Sequence, residues 1–175
     1  MKQIKLFFPL LAAGLFFFMT GSAQSGYMKL GDIKGESTDK DHKDWIIIES
    51  MSQGISKPEG ATGVNRRRGG TVLEDISISK SMDRSSTMLC QFSVKGQVIP
   101  EVIIDLTNGQ KASFYTITMK NVLVSSYSSS ASCSGSCNVM ENISLNFEEI
   151  TWTYTDLTDP KRAKITTTYR VDKNM

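Results

Sequence analysis

The chain is poor in the residues that most protein chemistry needs. Its 175 residues include one histidine, three cysteines and four prolines. A single His excludes a His-rich metal site, and three Cys are too few to build a fold from disulfides. Charge of one sign is also missing. Twenty basic residues against 18 acidic ones give a formal charge of +2, which excludes a strongly basic nucleic-acid binder. What remains is 39% hydrophobic and 22% charged, the composition of one ordinary globular domain.

A long apolar run occurs once. Lys2 and Lys5 precede the stretch Leu6 to Met19, and Thr20-Gly21-Ser22-Ala23 follows with small residues. That order predicts a signal peptide over residues 1–23, cut after Ala23 and leaving 24–175 as a single domain. The run is short for a membrane span, and no Cys follows the cut to carry a lipid. Loss of the two lysines brings the basic count to 18, equal to the acidic count. A balanced surface gives no steering toward nucleic acid or an anionic membrane, and it favours self-association.

Alternation of period two dominates the rest. Trp45, Ile47, Glu49 and Met51 fall on one side of a strand, with Ile46 and Ile48 on the other. Apolar residues on both faces predict a strand start buried on both sides. Val72, Ile76 and Ile78 share a parity, as do Val98, Val102, Ile104 and Leu106 opposite Glu101 and Asp105. Phe114 to Val124, Ile143 to Phe147, Ile150 to Tyr154 and Ile165 to Tyr169 complete the set. Short strands at this spacing predict a mainly β protein, a β-barrel or sandwich of antiparallel strands. One helix interrupts it. Met88, Leu89 and Phe92 have helical spacing, with Asp83 or Ser85 as front cap and Gly96 at the end, which predicts Ser86 to Lys95. Cys90 on that helix reads as a small core residue.

Two segments read as loops. Lys57 to Gly70 holds four glycines and Arg66-Arg67-Arg68, either a partner-binding loop or a solvated tip. Ser125 to Asn138 is serine-rich and contains Cys133-Ser134-Gly135-Ser136-Cys137, whose thiols can form a small disulfide in an exported protein. Catalytic constellations are not found. Ser37, Asp39 and His42 lie within six residues, but a triad draws its members from separate elements, so a hydrogen-bonded loop is expected. Glu148 and Glu149 are adjacent on a predicted strand and point apart. Asn142-Ile143-Ser144 matches a glycosylation acceptor but falls in a predicted strand. No enzyme, metal site or cofactor is expected.

The stretch Tyr27 to Asp39, with Lys34-Gly35-Glu36-Ser37 at its centre, resembles the Hcp (haemolysin-coregulated protein) family. The likeness continues through His42, Ile46-Ile47-Ile48 and Ser52 to Ser56, resumes at Gly70-Thr71-Val72, and runs through Ser77 to Asp83 and Ser85 to Leu89. Tyr115 to Met119, Glu141 to Phe147 and Ile150 to Tyr154 are also similar. The resemblance implies a β-barrel with one flanking helix and a homo-oligomer, a ring of six subunits. It also implies that rings stack into the inner tube of the type VI secretion system, with effector proteins and other machine components as partners. It makes Arg66, Arg67 and Arg68 ring-to-ring contacts, gives Gly35 to His42 a structural role, and transfers no catalytic or metal residue. The signal-like N-terminus departs from that family, whose members leave the cytoplasm through their own machine. A second expectation is therefore an exported Hcp-like barrel, secreted or periplasmic, acting as a binding protein.

Overall fold

A computed structural model describes residues 25–57 and 71–171. The predicted signal peptide and the arginine loop lie outside the described residues. Within them the chain forms eleven strands and one helix. The strands are β1 (Ser25–Leu30), β2 (Ile46–Ile48), β3 (Ser50–Ser52), β4 (Ile55–Ser56), β5 (Val72–Leu73) and β6 (Ile76–Ser81). After helix α1 (Ser86–Lys95) come β7 (Ile99–Thr107), β8 (Ser113–Ser134), β9 (Ser136–Asn146), β10 (Glu149–Thr155) and β11 (Lys164–Arg170).

All pairings are antiparallel, and nine strands form one sheet in the order β2-β1-β7-β8-β9-β6-β3. Strand β8 holds it together. Its first half sits between β7 and β10, its second half pairs with β9, and β11 adds beyond β10. The sheet is not closed into the expected barrel, because no ladder joins the end strands β2 and β3. Glu49 alone separates them along the chain. The two ends of the sheet must therefore meet, and the Glu49 amide donates to the Ser79 carbonyl of β6 at 2.8 Å.

The alternating apolar residues meet inside this curved sheet. Met28, Leu30, Ile46, Ile76, Ile78, Val102, Ile104, Ile117, Met119, Ile143, Leu145 and Ile150 are buried together. Ile47 is not, at 48% exposure, so β2 has one buried face rather than two. Three adjacent isoleucines do not encode which face is covered; here only Ile46 and Ile48 point into the core.

Helix α1 spans the predicted residues and packs on β8. Leu89 is its buried apolar residue and Phe92 is half-buried. The Asp83 carboxylate accepts from the Ser85 amide at 2.9 Å, and the chain leaves through Gly96 at φ 60°. Cys90 faces solvent instead of the core, because one apolar stripe only two residues wide is enough to seat this short helix. The serine-rich segment is also not a loop. It is the outer part of a β8–β9 hairpin in continuous register from Leu123↔Asn146 to Ser134↔Ser136, with one bulge between Val124 and Ser126. Serine is a weak strand former, and pairing with β9 overrides that local preference.

Truncating Leu89 to Ala should cost about 2–5 kcal/mol in urea unfolding, whereas Ile165→Ala, at an exposed edge, should stay within about 0.5 kcal/mol.

Candidate functional site

The stretch between β1 and β2, residues 31–45, is irregular yet fixed at almost every turn. The Gly35 amide donates to the Asp44 carbonyl (2.8 Å), Ser37 to Trp45 (3.0 Å), and Asp44 back to Ser37 (2.9 Å). Gly35 has to be glycine. A Cβ there would sit 2.3 Å from the Trp45 carbonyl oxygen and 2.4 Å from the Ile46 backbone. The Lys-Gly-Glu-Ser segment is thus a place where two backbones touch.

His42 fastens this segment to the sheet. Its ring stacks on Tyr27 (centroids 4.2 Å, planes 4° apart) and meets Trp45 edge-on at 4.9 Å. Nδ1 lies 3.1 Å from Asp39 Oδ1, and Nε2 lies 2.7 Å from Asp105 Oδ2 on β7. Carboxylates only accept, so the ring satisfies both when both nitrogens carry protons. Asp105 also accepts from the Ser113 hydroxyl and from Thr116 Oγ1 at 2.9 Å. The Lys111 ammonium reaches Asp39 at 2.9 Å. Lys111 first, then His42, holds the Asp39 carboxyl well below the usual carboxylate range.

Ser37, Asp39 and His42 therefore make the expected hydrogen-bonded loop: the Ser37 hydroxyl accepts from the Asp39 amide and does not approach the imidazole. Asp105 was expected on the open face opposite Ile104. The loop covers it, leaving it 7% exposed, and nothing in strand alternation signals a cover supplied by a segment over sixty residues away.

A second buried network lies under α1. Lys80 is fully buried, and its Nζ meets Glu141 at 2.7 Å, Asp83 at 2.9 Å, the Ser86 hydroxyl at 3.2 Å and the Ser81 carbonyl at 2.8 Å. Glu141, also fully buried, accepts from the Tyr127 hydroxyl at 2.7 Å. Burial first, then Glu141, pushes the Tyr127 phenol up. This pair was missed in the periodic reading, but its signal is present. Lys80 continues the parity of Ile76 and Ile78, and Glu141 that of Ile143 and Leu145, so each charge falls on an inward face.

Arg84 links the two regions. Its Nε donates to the Gly35 carbonyl, its guanidinium meets Asp44 at 2.9 Å, and its amide donates to Glu36 at 3.2 Å. Elsewhere Lys120 and Arg170 pair with Glu149, while Glu148 accepts from Asn121, so the two glutamates act separately. Asn142 is exposed on β9. Cys133 and Cys137 face each other across the hairpin, Cα atoms 4.1 Å apart and sulfurs joined at 2.06 Å. Among the described residues, no three His, Cys, Asp or Glu side chains are grouped to hold a metal, and no helix is long and apolar enough to cross a membrane. Arg66, Arg67 and Arg68 lie outside the described residues. Both buried polar networks fasten segments of the chain to the sheet.

Residues 27–154 match the family described as "Type VI secretion system effector, Hcp". The chain belongs to the Hcp family. It is 31% identical to Protein hcp1 of Pseudomonas aeruginosa over 128 residues, covering 71% of this chain and 78% of that protein. A solved structure of a type six secretion system protein superposes with a TM-score of 0.77 at 29% identity, over 87% of this chain and 99% of that one. Hcp1 from Salmonella typhimurium shares the fold at a TM-score of 0.73 and 23% identity, over 87% and 97% of the two chains. The matched range contains both buried networks and the Gly35 crossing. As an Hcp protein the chain is a component of type VI secretion, in a family whose role is structural.

Two measurements probe these networks. Lys80→Met should cost about 3–5 kcal/mol in urea unfolding, since it leaves Glu141 buried without its cation, and adding Glu141→Gln should restore much of the loss. Acid should loosen this fastening at Asp39, whose carboxylate is held in its charged form by Lys111 and His42. A folded pKa held below the unfolded one contributes stability that is complete above about pH 4 and is lost as pH falls through the folded pKa. The urea midpoint should therefore fall as the pH drops from about 4 to about 2, and less so in Lys111→Ala.

Proposed function

We propose that this protein is a structural subunit of a type VI secretion inner tube, forming hexameric rings that stack and can hold effector cargo. The observation that carries this reading is family membership over residues 27–154, at 31% identity to an Hcp1 protein. The physical character of the chain supports it. Its polar networks are consumed in fixing its own shape, and its formal charge of +2 offers little repulsion between copies. A ring requires a head-to-tail interface that closes by rotation, and β11 offers an exposed edge strand that, among the described residues, pairs only with β10. In this reading Arg66, Arg67 and Arg68 contact the neighbouring ring, and the Gly35 to His42 segment keeps the subunit rigid.

A second reading rests on the N-terminus. Residues 1–23 have the order of a signal peptide, so that residues 24–175 form the single working domain in the periplasm or outside the cell. An exported Hcp-like protein there serves as a binding or surface protein apart from the secretion machine.

Native mass spectrometry of the protein purified from cells that produce the full chain tests the ring on which the tube role depends. A six-fold mass is expected, and a clean monomer at micromolar concentration overturns the tube role. Arg66→Ala, Arg67→Ala and Arg68→Ala in combination should leave the ring mass unchanged while stacked tubes disappear from electron micrographs.

A further inference from the structure

The outer part of the β8–β9 hairpin has little holding it except itself. The last register pair with β6 is Ser81↔Met140, and one further bond runs from the Met82 amide to the Val139 carbonyl at 3.0 Å. Beyond that point, among the described residues, β8 and β9 pair only with each other, through Ser132↔Asn138, Cys133↔Cys137 and Ser134↔Ser136. Residues 128–138 are exposed on both faces of the ribbon, without a charged or large apolar side chain. A two-stranded ribbon without a packed face is marginal in water, and serine pairs add little to it. The turn itself uses Gly135 at φ 80°, a left-handed conformation that glycine enters at no steric cost. The Cys133–Cys137 bond is thus the one strong link across this end, and it lies fully in the open.

We propose that Cys133 and Cys137 form a redox-addressable clasp, a site of reversible thiol–disulfide exchange that sets whether the end of the β8–β9 arm is ordered. Closing it removes two protons and two electrons from the thiols and reduces the disulfide of an oxidising dithiol protein, or of oxidised glutathione, to two thiols. Opening it begins with attack by the thiolate of a reducing dithiol on one sulfur. A mixed disulfide forms, and the second thiol of the reductant resolves it, leaving Cys133 and Cys137 reduced. Only three residues lie between the cysteines, and the core lies elsewhere, so opening frees the arm without unfolding the sheet. Cys90, exposed on α1, is the cysteine left over when the clasp is closed, so it is alkylated before oxidised glutathione is added and the redox cycle is read on Cys133 and Cys137. The clasp does not depend on the ring reading, since its chemistry is complete within one chain.

The test uses the full chain, alkylated with iodoacetamide and followed by mass spectrometry and amide hydrogen exchange. Protein isolated from exporting cells should take one alkyl group, and protein treated with dithiothreitol should take three. Reduction should speed exchange at Ser130 to Asn138 by about tenfold or more, leave Ile143 and Leu145 unchanged, and reverse with oxidised glutathione. Cys133→Ser with Cys137→Ser should reproduce the reduced pattern. Reduced protein in which oxidised glutathione cannot restore the Cys133–Cys137 bond would overturn the clasp. Equal exchange of the arm in both forms would also overturn it, as would faster exchange through the whole sheet. A monomeric mass with the predicted exchange pattern would count against the ring alone.

Discussion

Everything in this fold is referred to the pairing along β8. One strand of 22 residues takes β7 and β10 on either side of its first half and β9 along its second. Its register therefore fixes three neighbours at once, and through them β1, β6 and β11. Slipping β8 by one residue would turn Ile117, Met119, Val122 and Val124 away from the core, so the buried apolar face holds the register. The curvature of the open sheet then follows from chain connectivity. The two end strands, β2 and β3, are neighbours in sequence, and the sheet bends round until they meet without a ladder between them.

Two segments are fastened to this sheet by buried polar networks as well as by apolar contact. Residues 31–45 are held by His42 between two carboxylates, and α1 is seated over Lys80 and Glu141. Arg84 ties one to the other through Asp44 and Gly35. Buried ionic groups add little net stability over apolar ones, but they tolerate few alternative arrangements. The apparent triad in the sequence is one of these fastenings.

The strands were legible in proportion to how simply their faces alternate. Ile76/Ile78, Val102/Ile104 and Ile143/Leu145 each put a clean apolar parity inward, and all six are buried. The helix was legible because a short apolar spacing is bracketed by a polar start and Gly96. Ile46-Ile47-Ile48 was not, since a uniform run hides which face is covered. The serine-rich arm was not, since pairing with β9 decides its conformation against its own propensity. Of the buried networks, Lys80 and Glu141 were readable from parity, whereas Asp105 was not.

The sequence by itself determined the alternation that makes a mainly β protein, the limits of the helix, and kinship with Hcp through blocks such as Lys34 to Ser37. These are local properties, written in residues a few positions apart. Only the tertiary structure decided that His42 meets Asp105 across 63 positions and Lys80 meets Glu141 across 61. It alone decided that Cys90 faces solvent, and that the sheet's ends meet without pairing. Such contacts depend on how distant strands are brought together, and the energy that selects them exists only once the sheet has curved.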